Sequence, residues 1–285
     1  MINIKGKKNL PVHEYVEALY QGTEKAADFS EKVIQPQLGS LLKISPREEA
    51  IVGTYYRMCG WIYTMVKMNH KACFQAASAA ARSLYELLID IKLLAVDESG
   101  RLVQQFIFFP NVEKYRVAKK RVSFCEQYGK DTKLTDTNYQ GFIQKMEKED
   151  FLNKKIVELW GLNKKGEPKN VEHWSGINDV RSRANRLGLR YEEMYVESYP
   201  VLSWHIHSGS TGYAGLSEDT IEVMMGMAHL LALDVFLEAT KVCSDEMKIS
   251  KAIEWVPKTI DELKLTAGWI LFGDEAKRLF EQGKL

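Results

Sequence analysis

Several things are scarce in this 285-residue chain, and each shortage excludes a class. Its four cysteines, Cys59, Cys73, Cys125 and Cys243, are scattered and form no CxxC pair, so they read as reduced, packed thiols of a cytoplasmic protein rather than a disulfide framework. Charge of one sign is lacking too. With 39 basic against 38 acidic residues the formal charge is +1, and no overall field draws the protein to nucleic acid or to an acidic membrane. Binding of that kind has to come from a local patch. A long clean apolar run is also missing. The most apolar stretch, Ile221 to Leu237, is interrupted by Glu222, His229 and Asp234 and falls short of the roughly 20 residues that a membrane span requires. The opening MINIKGKKNLPVHEYVEALY has no signal-peptide core, because His13, Glu14 and Glu17 break it. A soluble cytoplasmic protein with no membrane partner is expected.

Alternating β-branched runs bounded by turn residues are nearly absent, whereas helical periodicity is everywhere. With 45% hydrophobic and 27% charged residues, the expected fold is all-α, a multi-helix bundle with a helical insertion in the middle and a short C-terminal tail. Residues 1–248 form the bundle domain, 129–171 are the more polar insertion, and 249–285 are a helical tail packed on the bundle. A first helix should run from about Pro11 to Ile34 and stop at Pro36 and Gly39. Ser45, Pro46 and Glu48 carry the capping-box signature of a second helix, reaching Met68. The Ala-rich segment from His70 to Val96 is a third. The segment after Gly100 should hold a short apolar helix and a basic amphipathic one, divided at Pro110. Ser175 is expected to cap a helix through Leu187, and Ser217 one through Ser244.

The most informative pattern is a polar residue at every fourth position, Tyr191, Tyr195, Tyr199, Ser203 and His207. Residues four apart share a helix face, so this is a hydroxyl and imidazole stripe where a core seam would use Leu and a solvated face Lys or Glu. Pro200 bends it, and each four-residue step drifts by about 40°, so its two ends serve different neighbours. His205 and His207 suggest a metal pair at first sight. Two residues apart on a helix they point about 200° from each other, so a single inward histidine acting in acid/base chemistry or as a structural hydrogen-bonder suits the pattern better. His207 follows the register of the stripe, with His205 beside it.

The third helix offers a counterpart. Lys71, Gln75, Ser78, Arg82 and Glu86 project onto one narrow stripe while alanines and leucines cover the remainder. That stripe either meets solvent or lines an internal cleft in which Arg82 and Glu86 pair. Glu222 and His229 lie on one face of the apolar helix, with Gly226 between them. Two basic clusters, Arg181, Arg183, Arg186 and Arg190, and Lys114, Arg116, Lys119, Lys120 and Arg121, are solvated faces or phosphate contacts.

The order Arg82-Ser83-Leu84-Tyr85-Glu86, then His173-Trp174-Ser175, Tyr191 with Tyr195, Tyr199, and Leu202 to His207 resembles a bacterial helical family, the domain of unknown function of the 5677 type. The resemblance covers roughly Ile51 to Val242. It implies an Arg and a Glu on one helix with a Tyr, Ser and His set further on, which fall here on Arg82, Glu86, Tyr195, Ser203 and either His205 or His207. No activity comes with the family. The helical HEPN nucleases cleave RNA with an Arg and a His and without metal, but their short Arg-to-His spacing is missing here. The expectation is a polar cleft of Arg82, Glu86, Tyr195, Tyr199, Ser203 and His207 that needs no cofactor or metal. It binds or cleaves a phosphorylated small molecule or RNA. The alternatives are a protein-interaction module whose polar set is structural, and a metal-binding bundle.

Overall fold

The computed structural model describes residues 12–41, 43–129, 136–204, 217–249 and Lys258. Among them the chain is all-α. It runs through α1 Val12–Phe29, a π-helical turn Ser30–Ile34, α2 Gln35–Gly39, α3 Pro46–Lys67, a 3-10 turn Lys71–Cys73, α4 Phe74–Ala95 and α5 Arg101–Tyr128. Then follow α6 Asp136–Glu147, a 3-10 turn Lys148–Asp150, α7 Phe151–Trp160, α8 Val180–Leu187, α9 Leu189–Trp204 and α10 Glu218–Glu246. The extended pairing seen among these residues is an isolated bridge between Leu162 and Pro168. The tail expected over 249–285 lies outside the described residues, apart from Ile249 and Lys258.

Two compact units divide the chain, one of Met1–Ala95 with Ala184–Leu285 and one of Val96–Arg183. In the first, α10 packs along α4, α1 and α3, and α4 also packs against α3 and α9. Small residues make this close packing possible. Ala77, Ala80 and Ala81 of α4 and Ala228, Ala232 and Ala239 of α10 are fully buried, and Leu84, Leu88, Ile91, Leu233 and Leu237 fill the space around them. Each such leucine or isoleucine contributes about 1.5–3 kcal/mol of transfer free energy. Thr220–Glu246 is the one described helical segment long and apolar enough to cross a membrane, and 61% of its apolar window is buried inside the protein. Here it is the central helix of the bundle.

The starts of α3 and α10 follow their local sequence. The Ser45 side chain accepts from the Glu48 amide at 3.3 Å while the Glu48 carboxylate accepts from the Ser45 amide at 2.5 Å, closing a capping box ahead of Pro46. Those bonds hold the Glu48 carboxyl below its usual range. Ser217 caps α10 in the same way, accepting from the Thr220 amide at 3.2 Å.

Other boundaries differ from expectation. The first helix does not stop at Pro36 but widens into the π turn and continues as α2, with Pro36 in its first turn and the expected Gly39 as its last residue. Pro36 has no N–H to close an α turn onto Lys32, and the wider turn just before it absorbs the misfit.

The second unit is longer than the polar 129–171 segment, because α5 packs with α6 and α7. Its core joins Val112, Met146, Leu152, Ile156, Leu159, Trp160 and Val171, with Phe108, Phe109, Tyr115 and Phe142 against it. The expected break at Pro110 is absent: α5 is one helix with the proline inside. The missing hydrogen bond and crowded turn are outweighed by Phe108, Phe109 and Val112, which flank the proline and are held in that core. α8 begins later than its expected cap. Asp179, not Ser175, takes the capping bond, accepting from the Ser182 amide at 2.7 Å.

Candidate functional site

Tyr199 of α9 stands between two residues of α4. Its hydroxyl accepts from Arg82 Nη2 at 2.6 Å and donates to Glu86 Oε1 at 2.6 Å, while Arg82 Nη2 lies 3.7 Å from the same carboxylate oxygen. The guanidinium carbon sits 4.5 Å from the Tyr199 ring centroid, a cation–π contact. Tyr195, one turn earlier on α9, stacks on Tyr199 with centroids 4.9 Å apart and planes 23° apart. Burial, reinforced by the Glu86 carboxylate, pushes the Tyr199 phenol up to about 12 against the opposing pull of Arg82. It is therefore a neutral hydrogen-bond relay at ordinary pH.

The donors of Arg82 are not all used. Its side chain is 16% exposed, its Nε is buried without a hydrogen-bond partner, and Nη2 carries the one bond seen. Four residues earlier on the same helix, the hydroxyl of Ser78 is also buried and unpartnered. Buried polar groups are ordinarily satisfied, and an orphaned one costs about 1–3 kcal/mol. The stripe predicted on this helix is thus buried at Ser78, mostly buried at Arg82 and 36% exposed at the Glu86 side chain.

A second clamp holds the start of α9. The Tyr85 hydroxyl donates to the Tyr191 carbonyl at 2.6 Å, and Tyr191 donates its own hydroxyl to Glu238 of α10 at 3.1 Å. Glu238 also accepts from Lys92 at 2.9 Å and lies 3.7 Å from Arg190, which reaches Asp234 at 3.4 Å. Burial alone would raise the Glu238 carboxyl; the Lys92 bond and charge, with Arg190, hold it below its usual range. This network fixes α9 against α4 and α10. Tyr191 is a structural member of the stripe.

Glu222 and His229 do not form one polar site. Glu222 pairs with Lys71 at 2.5 Å, whereas His229, fully buried, meets Thr23 of α1 through Nδ1 at 3.2 Å. Thr23 spends its proton on the Leu19 carbonyl at 2.9 Å, so the imidazole must donate from Nδ1, leaving Nε2 as a buried acceptor without a partner. Burial pushes the pKa of His229 down to about 4.

The fold thus brings Arg82, Glu86, Tyr195 and Tyr199 together. Ser203 sits one turn on from Tyr199, but its hydroxyl is spent on the Tyr199 carbonyl at 2.6 Å within its own helix. His205 and His207 lie outside the described residues, as does the glycine-rich connection after them. Among the described residues no group of three or more His, Cys, Asp or Glu side chains is placed to hold a metal ion.

Sequence reasoning missed Lys92 and Glu238; the signal was a charge set among buried apolar neighbours, Ile91, Leu93 and Leu94 on α4 and Phe236, Leu237 and Ala239 on α10. In the second unit it missed the link from Arg183 Nη1 to His173 Nε2 at 2.6 Å and from His173 Nδ1 to Ser175 Oγ at 2.9 Å. Both Arg183 at Nε2 and the Ser175 amide at Nδ1, 3.2 Å away, approach the ring as donors, so they compete for the one lone pair of a neutral imidazole.

These features define an all-α bundle whose polar centre is an arginine and a glutamate on one helix bridged by a tyrosine on another. The chain belongs to the family of unknown function DUF5677, whose model matches residues 48–221, a span that includes Arg82, Glu86, Tyr195 and Tyr199. No curated protein and no solved structure matches the chain.

Proposed function

We propose that the α4–α9 cluster binds a small phosphorylated ligand, with Arg82 as its anchor. The observation that carries this reading is the unspent, buried Nε–H of Arg82. A phosphate offers only acceptors and matches the fork of a guanidinium, so it satisfies what the protein leaves open. Ser78 adds a second unsatisfied group on the same helix, and the half-buried Tyr195 ring forms an edge of the site. The charge balance favours a small ligand over a long RNA strand. Unit charges about 4 Å apart interact by about 4 kcal/mol at an effective dielectric of 20, so Glu86 offsets much of the pull of Arg82. Glu193 and Glu197 are exposed on α9, and residues 1–95 with 184–285 hold 22 basic against 25 acidic residues.

In this reading any turnover is a metal-independent hydrolysis, with His207 or His205 exchanging the proton and Glu86 orienting it. A cytoplasmic location goes with it, supported by the free thiols of Cys59 and Cys243 buried in the bundle. Calorimetric titration with ribose 5-phosphate tests the binding. Wild type should bind, Arg82→Lys should bind at least tenfold more weakly because the fork is lost, and a wild type that takes up no heat refutes the proposal.

The mutual satisfaction of Tyr199 with Arg82 and Glu86 favours a second reading, a protein-interaction module whose polar set only fixes helix packing. There, Arg82→Lys lowers the melting temperature and wild type binds no phosphate ester.

A further inference from the structure

The last three turns of α5 have an unusual surface. After Ala118 the helix has no buried residue, yet Val117, Phe124 and Tyr128 are apolar or aromatic and 54%, 48% and 59% exposed. Positions 117, 121, 124 and 128 fall on one helix face, so the three form a ridge about 16 Å long at 1.5 Å per residue. Lys120 and Arg121 flank it, both exposed. Toward α6, Lys114 lies 4.6 Å from the Phe142 ring and Lys119 3.1 Å from Glu147; Arg121 comes within 5.7 Å of the Tyr139 ring yet stays exposed, and within the ridge the Phe124 and Tyr128 rings tilt against each other with centroids 4.8 Å apart. Lys120 has no carboxylate partner among the described residues. The charge of this unit is lopsided as well, with 17 basic against 13 acidic residues in 96–183 of a chain that is nearly neutral overall.

We propose that this ridge docks single-stranded nucleic acid, bases stacking on Phe124 and Tyr128 and phosphates meeting Lys120 and Arg121. Each part of the surface has a counterpart in such a strand. Exposed rings accept the faces of any base, and cations beside them exchange counterions for phosphates. A folded protein partner fits less well. Three apolar side chains on one convex helix are far from the roughly 800 Å² per partner of a stable protein interface. A second copy would bring Lys120 and Arg121 against their own kind, which opposes pairing. A duplex hides its base faces and would leave the rings unused.

Fluorescence anisotropy of a labelled oligouridylate and a labelled oligothymidylate with the full chain tests this. Binding of one or both should be seen at low salt and weaken as salt rises. Phe124→Ala and Tyr128→Ala should each cost about tenfold in affinity, and Lys120→Gln a few-fold with a shallower salt slope. A duplex of equal length should bind at least tenfold more weakly. The proposal is overturned by no binding at low salt, by ring variants that bind like wild type, or by a duplex that binds as well as the single strand. It is overturned equally by polyglutamate competing as well as unlabelled oligonucleotide, or by sedimentation showing copies associating through the ridge. Lys120→Gln touches no packing, so the test stands even where a ring variant loses its fold.

Discussion

The two units differ in how many of their polar residues they draw inward, though the second also buries Asp97, Gln105, Ser175 and Arg183. In the unit built on α4, α9 and α10, charged and hydroxyl side chains are drawn inward and tied to one another, as Lys92 to Glu238, Tyr199 to Arg82 and Glu86, and His229 to Thr23. In the unit of α5 to α7 the core is apolar and aromatic, and the long helix α5 carries its lysines and arginines at its margin. A chain with a formal charge of +1 therefore conceals an acidic part and a basic part. Inward charges fix where helices sit, because an unpaired buried charge is costly; outward charges contribute little to stability and are free to meet partners.

The largest effect should come from breaking the inward network. Lys92→Met removes the main partner of Glu238, whose side chain is 12% exposed, and leaves its carboxylate with the Tyr191 hydroxyl at 3.1 Å and Arg190 at 3.7 Å. Stability measured by urea unfolding should fall by about 3 kcal/mol, the usual cost of stranding one member of a buried pair. A loss below about 1 kcal/mol would show that Glu238 is solvated enough to manage alone, and the contrast between the units would weaken.

The next effect depends on pH. His229 has a folded pKa of about 4 against the ordinary imidazole value of 6.5, so between those values the unfolded chain binds more protons than the folded one. Stability is then fully present above about pH 6.5 and is lost as the pH falls toward 4, by up to about 3 kcal/mol. His229→Gln should flatten that slope in urea midpoints measured across the window. A variant that keeps the full wild-type slope would assign the dependence to other groups.

What the sequence made legible was local. The caps at Ser45 and Ser217 depend on residues within one turn, and both formed where their motifs predicted. The α4 stripe was legible from its 3.6-residue period, although period alone left open whether Arg82 faces water or the bundle. The long-range ties were not legible, because Lys92 and Glu238 are 146 residues apart and Thr23 and His229 are 206 apart. No local pattern encodes such a meeting. Pro110 misled for a related reason: its local preference is to break a helix, and the core around Phe108, Phe109 and Val112 overrides it. Ser175 was a plausible cap by type, but Asp179, nearer the first turn, took that role and left Ser175 to His173.

A smaller loss is expected at the bridge itself. Tyr199→Phe deletes the oxygen that accepts from Arg82 and donates to Glu86, yet leaves the ring under the guanidinium and the Arg82–Glu86 pair 3.7 Å apart and able to close. About 1 kcal/mol should be lost. Thermal unfolding reads that loss, and a variant as stable as wild type would mean that Tyr199 contributes packing alone.

The smallest effect on stability belongs to the ridge of α5, and its smallness sharpens the comparison. Val117, Phe124 and Tyr128 are about half exposed, so the unfolded chain gains little solvation when they are removed. Surface substitutions away from caps and buried partners ordinarily stay within about 0.5 kcal/mol. Phe124→Ser with Tyr128→Ser should leave the urea midpoint within that range and raise solubility, because an apolar ridge facing water favours self-association. A loss of 2 kcal/mol or more would show that the rings pack in solution. The basic unit would then resemble the acidic one, its aromatics fixing structure rather than offering a surface.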